Sequence, residues 1–365
     1  MLKKRRYFTD VLPGKAGTFT REISFSAGHR LRRADRILPV FLPFAGCPGH
    51  CVFCAQDKQT GSGCNARENL RESAACLEKE DGTRSVELAF FGGTFTALPP
   101  DLRKEALALY AEYHARGLLD FCRCSTRPDA LTGTSADGSL SLLEELAGAG
   151  MDLVELGIQS FNDDALLAAR RGYDGAAAVR GCRQVQEAGL KLGIQLLPGM
   201  PGVTPEIFLQ DVDAALALGP DCLRFYPCLV PDGTVLADMW RRGEYRPWSE
   251  EVTVRTLGEG LRRAWQAGVP VLRLSVAPEA SFDAILLDGP RHPALGSLIQ
   301  AEALILSAEE AARKLGGKVL CMKAPRSCQG YLYGQKGALR SRWAAIGLSP
   351  ENIIFTTGEN VTLRA

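Results

Sequence analysis

Three cysteines have a spacing that can do chemistry. Cys47, Cys51 and Cys54 form a C-x3-C-x2-C run, broken by Pro48, Gly49 and His50 and then by Val52 and Phe53. Thiolates are soft ligands, suited to zinc or to an iron–sulfur cluster. Three of them can grip three irons of a cubane and leave the fourth open, as a catalytic centre requires. A structural zinc site instead closes four positions. His50 or Cys64 would supply a fourth ligand, so the spacing alone leaves both metals open. Gly46, Pro48 and Gly49 make this segment a loop, which argues against three thiols packed only as small apolar side chains.

The remaining cysteines carry no such pattern. The chain has twelve in all, many for a protein in a reducing compartment, where clustered thiols are more often ligands than disulfides. Cys122, Cys124, Cys222, Cys228, Cys321 and Cys328 lack tight ligand spacing and read as buried small hydrophobes. The basic start, Met1 to Arg6, is followed by polar and Pro-Gly residues instead of an apolar stretch, so it reads as a solvated tail. No window has the roughly 18 uninterrupted apolar residues of a membrane helix. The expectation is a cytoplasmic protein without a membrane partner.

A loop of ligands needs rigid elements to hold it. Short, nearly continuous apolar runs occur at 37–44, 86–91, 119–124, 153–156, 192–197, 222–226 and 271–274, as in buried parallel strands. Helical spacing fills the intervals at 101–116, 141–149, 176–188, 205–218 and 250–267. Thr204-Pro205 reads as an N-cap followed by proline at the first helical position. Gly150, Gly189 and Gly268 follow three of the helices, where a left-handed C-terminal residue belongs. Repeated strand–helix–glycine–strand units imply a parallel sheet with right-handed crossovers. Either an open doubly wound sheet or a full or partial barrel satisfies that pattern. In a barrel, the cysteine loop would lie at the C-terminal face, where active sites sit.

The rhythm stops near residue 280. A loop-like stretch (280–293), a long helix (294–316) and strands near 319–322 and 352–355 predict a smaller α+β appendage. The expected division is an N-terminal extension (1–34), a βα unit (35–279) and the appendage (280–365). With 365 residues such a chain can bury a large core without disulfides. A net charge of +1 excludes a globally basic nucleic-acid binder but not a local patch. Such a patch exists: 311–350 holds eight Lys or Arg and no Asp or Glu, interleaved with Tyr331, Tyr333 and Trp343. It reads either as a solvated basic face or as a surface for RNA phosphates and unpaired bases.

The cysteine loop with aromatic Phe53 before its last cysteine resembles the signature of the radical SAM superfamily. Further motifs follow in that family's order. They are Phe90–Thr96 with its Gly92-Gly93-Thr94, Cys124–Asp129, Glu155–Ser160, Arg170-Arg171-Gly172-Tyr173 and Gln195–Gly202. The order is most similar to the elongator catalytic-subunit branch and its short bacterial relatives. It is also similar to oxygen-independent coproporphyrinogen III oxidases. Two features depart from these groups: the elongator branch spaces its first cysteines farther apart and carries an acetyltransferase domain, which nothing after 278 resembles. The oxidases place another cysteine where this chain has Gln56.

The resemblance implies an α/β fold, a partial (βα) barrel with a small C-terminal α+β appendage. It implies a [4Fe–4S] cluster on Cys47, Cys51 and Cys54, and S-adenosylmethionine (SAM) as the second cofactor. The reduced cluster would cleave SAM to a 5′-deoxyadenosyl radical that takes hydrogen from a substrate. The SAM contacts it implies are Phe53, Gly92, Gly93, Thr94, Ser125, Gln159, Arg171 and Gln195, with Arg170 the alternative to Arg171 for the SAM carboxylate. Arg127 reads either as a substrate or SAM contact or as a barrel-rim salt bridge, and His292 as part of a structural turn. Implied partners are a reducing protein such as ferredoxin or flavodoxin, and tRNA or other RNA through 311–350. The alternative of another class is a non-catalytic zinc- or iron–sulfur-binding structural or regulatory protein.

Overall fold

The computed structural model describes residues 21–28, 34–47, 49, 51–55, 65–135, 138–276 and 279–365. After an N-terminal strand β1 (Glu22–Ser26), the chain builds β2 (Arg36–Phe41), β3 (Val86–Phe91), β4 (Phe121–Thr126), β5 (Leu153–Gln159), β6 (Lys191–Leu196) and β7 (Cys222–Phe225). A short β8 (Val230–Pro231) precedes β9 (Val271–Arg273). Strands β2 to β7 and then β9 pair in chain order, every pair parallel, and curl into a half-barrel. Their residues are apolar on both faces because helices cover one face and the barrel interior the other. Leu88, Cys122, Val154, Leu192 and Leu223 are fully buried. Truncating any one of the leucines to alanine costs about 2–5 kcal/mol.

Helices Pro100–Ala115, Leu142–Gly148, Gly175–Glu187, Pro205–Ala217 and Glu250–Gln266 fill the intervals where helical spacing placed them. Thr204 caps its helix, its side-chain oxygen accepting from Ile207 N at 3.3 Å, with Pro205 at the first position. Ser141 and Glu144 form a reciprocal capping box. Gly150, Gly189 and Gly268 take φ of 84°, 75° and 72°, so each reverses the chain as a left-handed residue. Three further helices, Ala66–Leu77, Asp163–Ala168 and Val235–Arg241, lie where the sequence pattern signalled none. The last two are six and seven residues long, too short for periodicity to show.

Beyond the barrel, the segment expected to be loop at 280–293 holds a helical turn, Ala280–Asp283, and β10 (Leu286–Asp288), which pairs antiparallel with β8. Helix Leu295–Leu315 packs along Glu250–Gln266. A four-stranded sheet follows from β11 (Cys321–Pro325), β12 (Ile353–Thr356) and β13 (Asn360–Arg364), in the order β1-β13-β11-β12. Strand β1 from the N-terminal side thus completes the C-terminal sheet. One continuous hydrophobic core runs from the barrel through the bridging helix to Trp343, Met322 and Leu363.

The reading of 311–350 as a free basic and aromatic surface is corrected at three residues, the first being Lys314, which pairs with Glu310 at 2.7 Å. Trp343 is fully buried, and its Nε1 donates to Leu332 O at 2.8 Å, so no base can stack on it. Arg342 is bound in two forks, by Glu309 through Nε and Nη2 (both 2.8 Å) and by both oxygens of Glu302. These acids lie outside the stretch, on the bridging helix, and the fold carries them back to it. Lys318, Arg326, Lys336 and Arg340 remain exposed without an ion pair among the described residues.

Candidate active site

The expected site residues occupy the C-terminal ends of the barrel strands. Cys47, Cys51 and Cys54 follow β2, Gly92-Gly93-Thr94 follows β3, and Ser125 lies at the end of β4. Gln159 ends β5, Arg171 follows the short helix after it, and Gln195 lies at the end of β6. All of them, with Phe53, line one cavity of about 330 Å³.

Backbone contact fixes the two loops nearest the thiols. Thr94 N donates to Ala45 O at 2.7 Å. Gly93 has φ of 58°, and a Cβ there would lie 2.2 Å from Ala45 O. Gly46 has the reciprocal constraint, since its Cβ would lie 2.3 Å from Thr94 O. Only glycine allows this approach. It places Thr94 Oγ1 3.3 Å from Cys47 Sγ. On the far side, Val52 N donates to Ala169 O and Leu236 N to Val52 O, tying the cysteine loop to two other segments.

Gln159 adopts φ of 69°, a left-handed conformation that costs a non-glycine residue about 1–2 kcal/mol. It sits at an irregularity where the β5–β6 register shifts. The segment after it is pinned by Asp211, which accepts from Ser160 Oγ and Phe161 N, both at 2.7 Å. Burial raises the Asp211 carboxyl to about 6, against the lowering effect of those two hydrogen bonds.

Arg171 is buried and Arg170 is exposed. The Arg171 guanidinium donates to Tyr173 Oη (3.0 Å), Gly157 O (2.6 Å) and Cys51 Sγ (2.9 Å). A Cβ at Gly157 would stand 2.9 Å from the Gln159 amide, so the missing side chain makes room for Gln159. No carboxylate pairs with Arg171 among the described residues. A buried cation without a carboxylate partner is costly. Arg127 differs: Asp129 holds it in a bidentate pair at 2.8–2.9 Å, and Arg171 O accepts from it as well. Arg127 thus forms the expected salt bridge and also lines the cavity, its Nη1 4.0 Å from Cys51 Sγ.

Three soft thiol donors from one loop line one cavity, a donor set that fits a cluster held by three cysteines. The ionised Cys51 thiolate would also offset the Arg171 charge. His50 and Cys64, the alternative fourth ligands, lie outside the described residues.

Beneath the cavity runs a charged ladder that the sequence reading missed. Glu87 on β3, Arg123 on β4, Glu155 on β5 and Arg224 on β7 are all buried. Arg123 bridges Glu87 (2.5 Å) and Glu155 (2.8 Å), and Arg224 meets Glu155 at 2.9 Å. Gln195 Nε2 donates to Glu155 at 3.2 Å and to Ser125 Oγ at 3.4 Å, which joins the ladder to the cavity floor. Each strand shows only one lone charge in an apolar run. That is the signal that could have exposed the ladder, because a buried charge must find a partner. Tyr226, Cys228 and Arg273 complete the wall on the β7–β9 side.

The remaining expectations separate cleanly. Every cysteine among the described residues is a free thiol. Cys122, Cys124, Cys182, Cys222, Cys228 and Cys328 are buried, whereas Cys321, expected to be, is half-buried; burial pushes the Cys182 and Cys228 thiols up to about 12, as for inert small hydrophobes. Cys228 alone of these reaches the cavity wall. His292 shapes a turn, its Nδ1 accepting from Ala294 N at 3.0 Å. No helix among the described residues is long and apolar enough to cross a membrane.

Comparison with known proteins agrees with this geometry. The model of the Radical SAM superfamily matches residues 41–215, and that of the Radical SAM C-terminal domain matches 220–304. A tRNA uridine(34) acetyltransferase of Methanocaldococcus infernus is 26% identical over 70% of this chain and 48% of its own length. Elongator complex protein 3 of Danio rerio is 29% identical over 51% of this chain and 35% of its own. The chain therefore spans about half or less of the length of these two relatives. Among solved structures, an N-terminally deleted Elp3 of Methanocaldococcus infernus superposes with a TM-score of 0.53 at 22% identity, over 77% of this chain and 63% of that one. That likeness is one of fold.

Proposed function

Because the chain belongs to the radical SAM superfamily, we propose that Cys47, Cys51 and Cys54 hold a [4Fe–4S] cluster and that SAM binds in the cavity above Gln195. Members of this superfamily are enzymes that use both cofactors. When bound, the reduced cluster supplies the electron that cleaves SAM to methionine and a 5′-deoxyadenosyl radical able to take a hydrogen atom from substrate. The chain's own residues position and shield. Arg171 offers its charge to the SAM carboxylate and to the Cys51 thiolate, a role its planar fork of donors suits. The Gly92 and Gly93 backbone lets the methionine end approach, and the Thr94 hydroxyl is at hand for its ammonium group. Gln159, Ser125 and Gln195 present polar groups to the ribose side. Phe53 shields the thiols from water.

The observation that carries this reading is the placement of three loop thiols and a buried arginine without a carboxylate partner on one cavity. The substrate proposed is RNA. Support comes from the relatives named as tRNA-modifying enzymes and from the unpaired cations Lys318, Arg326, Lys336 and Arg340. A reducing protein such as ferredoxin or flavodoxin would supply the electron, in a reducing compartment such as the cytoplasm.

Anaerobic incubation of the brown, iron-loaded protein with reductant and SAM tests the reaction. 5′-Deoxyadenosine and methionine are expected in equal amounts, and mass analysis of added tRNA identifies the product. A colourless zinc protein that leaves SAM intact would establish the non-catalytic metal-binding alternative instead.

A further inference from the structure

A second cavity, of about 610 Å³, opens beside the first. It is lined by two half-buried indoles, Trp240 and Trp248, by the exposed Arg246, and by loop residues 288–291. The rings are held in place already. Trp240 Nε1 donates to Asp288 Oδ2 at 2.8 Å. Trp248 stands edge-on to Phe208, with ring centroids 6.3 Å apart, and covers Gly199, where a Cβ would come within 3.2 Å of the indole. Aromatic surfaces fixed in advance lose little entropy when a ligand arrives.

The charges at this cavity are not equivalent. Arg241 is held by Asp232 and Asp238, and Arg291 by Asp283. Arg246 has no ion pair among the described residues. Glu250 stands at the same rim, an acceptor suited to a base N–H and unsuited to a bare anion.

The two cavities share a wall. Leu229 lines the first and packs on Gly289 of the second, where a Cβ would lie 2.9 Å from it. Arg291 of the second donates to the carbonyl of Val276, which lines the first, at 2.9 Å. The linings of the two cavities are thus in contact at two points.

We propose that the second cavity receives an unpaired nucleobase of a single-stranded RNA substrate, stacked on Trp240 and Trp248 with its phosphate at Arg246, while a neighbouring nucleotide enters the first cavity. This rests on RNA being the substrate. Every base has a π face that an indole can stack on, and the free cation answers the backbone. Of the four tryptophans, Trp265 and Trp343 are buried, so a ligand-dependent change in tryptophan emission reports on Trp240 and Trp248.

The test uses the full, cluster-loaded chain with SAM. A fluorescently labelled single-stranded RNA octamer is titrated by anisotropy, and UMP and inorganic phosphate are titrated by tryptophan emission. The octamer and UMP are expected to bind and quench, and phosphate is not. Trp240→Ala should weaken octamer binding about tenfold, Trp240→Phe should retain most of it, and Arg246→Ala should lower the salt slope by about 0.7. Unchanged binding by Trp240→Ala and Arg246→Ala, or equal affinity for an RNA duplex of the same length, would overturn the proposal. 5′-Deoxyadenosine formation without RNA should be the same in all three variants and the wild type. If the wild type forms none, while octamer binding still depends on Trp240, the base site stands and the radical reading falls.

Discussion

Arg342 in the C-terminal region and Arg171 at the barrel mouth are both arginines drawn inward, and the fold treats them in opposite ways. Arg342 is met by two carboxylates brought over from the bridging helix. Arg171 is more deeply buried and, among the described residues, is met by a tyrosine hydroxyl and ring, a carbonyl and a thiol, with no carboxylate. A paired cation between two helices holds elements together. A buried cation without a carboxylate is tolerated where an anionic ligand completes it. The same contrast holds for the aromatics. Trp343 disappears into the core, while Trp240 and Trp248 stay at a cavity rim.

The strongest break with the comparison would come from the thiols. Cys47→Ala, Cys51→Ala or Cys54→Ala should each abolish iron–sulfur absorbance and SAM cleavage. Cys182→Ala and Cys222→Ala, buried elsewhere, should leave both intact. A full cluster in all three loop variants, measured by iron and sulfide content, would remove the basis for the site.

Next in size is the ladder under the cavity. Glu155→Ala leaves Arg123 and Arg224 buried with too little counter-charge and should destabilise the chain by about 3–5 kcal/mol in denaturant titration. An effect below about 1 kcal/mol would mean that water reaches the barrel interior.

Asp211 gives a pH signature. Its folded value of about 6 lies above the roughly 4 of an unfolded aspartate. Between those values the folded state holds a proton that the unfolded state has lost. Stability from this group therefore rises as pH falls from about 6 to about 4, by at most about 3 kcal/mol. Asp211→Asn should flatten that rise while keeping an acceptor for Phe161 N. An unchanged pH profile would show that the carboxylate is better solvated than its burial indicates.

Arg342→Ala should cost about 1 kcal/mol, because its partners are partly solvated. It should leave SAM and RNA binding untouched. A loss of RNA affinity in this variant would return the 311–350 surface to its full sequence-based reading.

Much of this architecture was legible in the sequence, for identifiable reasons. Strands buried on both faces leave continuous apolar runs, and 86–91 matches the strand there residue for residue. Left-handed helix ends leave glycines, and the ligand loop lies within eight residues, Cys47 to Cys54. What escaped depends on partners far apart in the chain. Strand β1 pairs with β13 across the whole fold, Glu22 opposite Arg364. The Glu87–Arg123–Glu155–Arg224 ladder draws one charge from each of four strands. The acids that neutralise Arg342 lie outside the window in which its neighbours were counted. The second cavity forms only where loops near 240–250 and 288–291 meet.

The most direct test of the central contrast is the affinity for SAM of cluster-loaded Arg171→Ala beside Arg170→Ala and Arg342→Ala, by equilibrium dialysis. At unchanged iron content, Arg171→Ala should bind SAM at least about tenfold more weakly, the loss expected for one charge-assisted contact. The other two should bind as the wild type does. Wild-type affinity in Arg171→Ala, or a loss confined to Arg170→Ala, would contradict the assignment of the buried arginine to the SAM carboxylate.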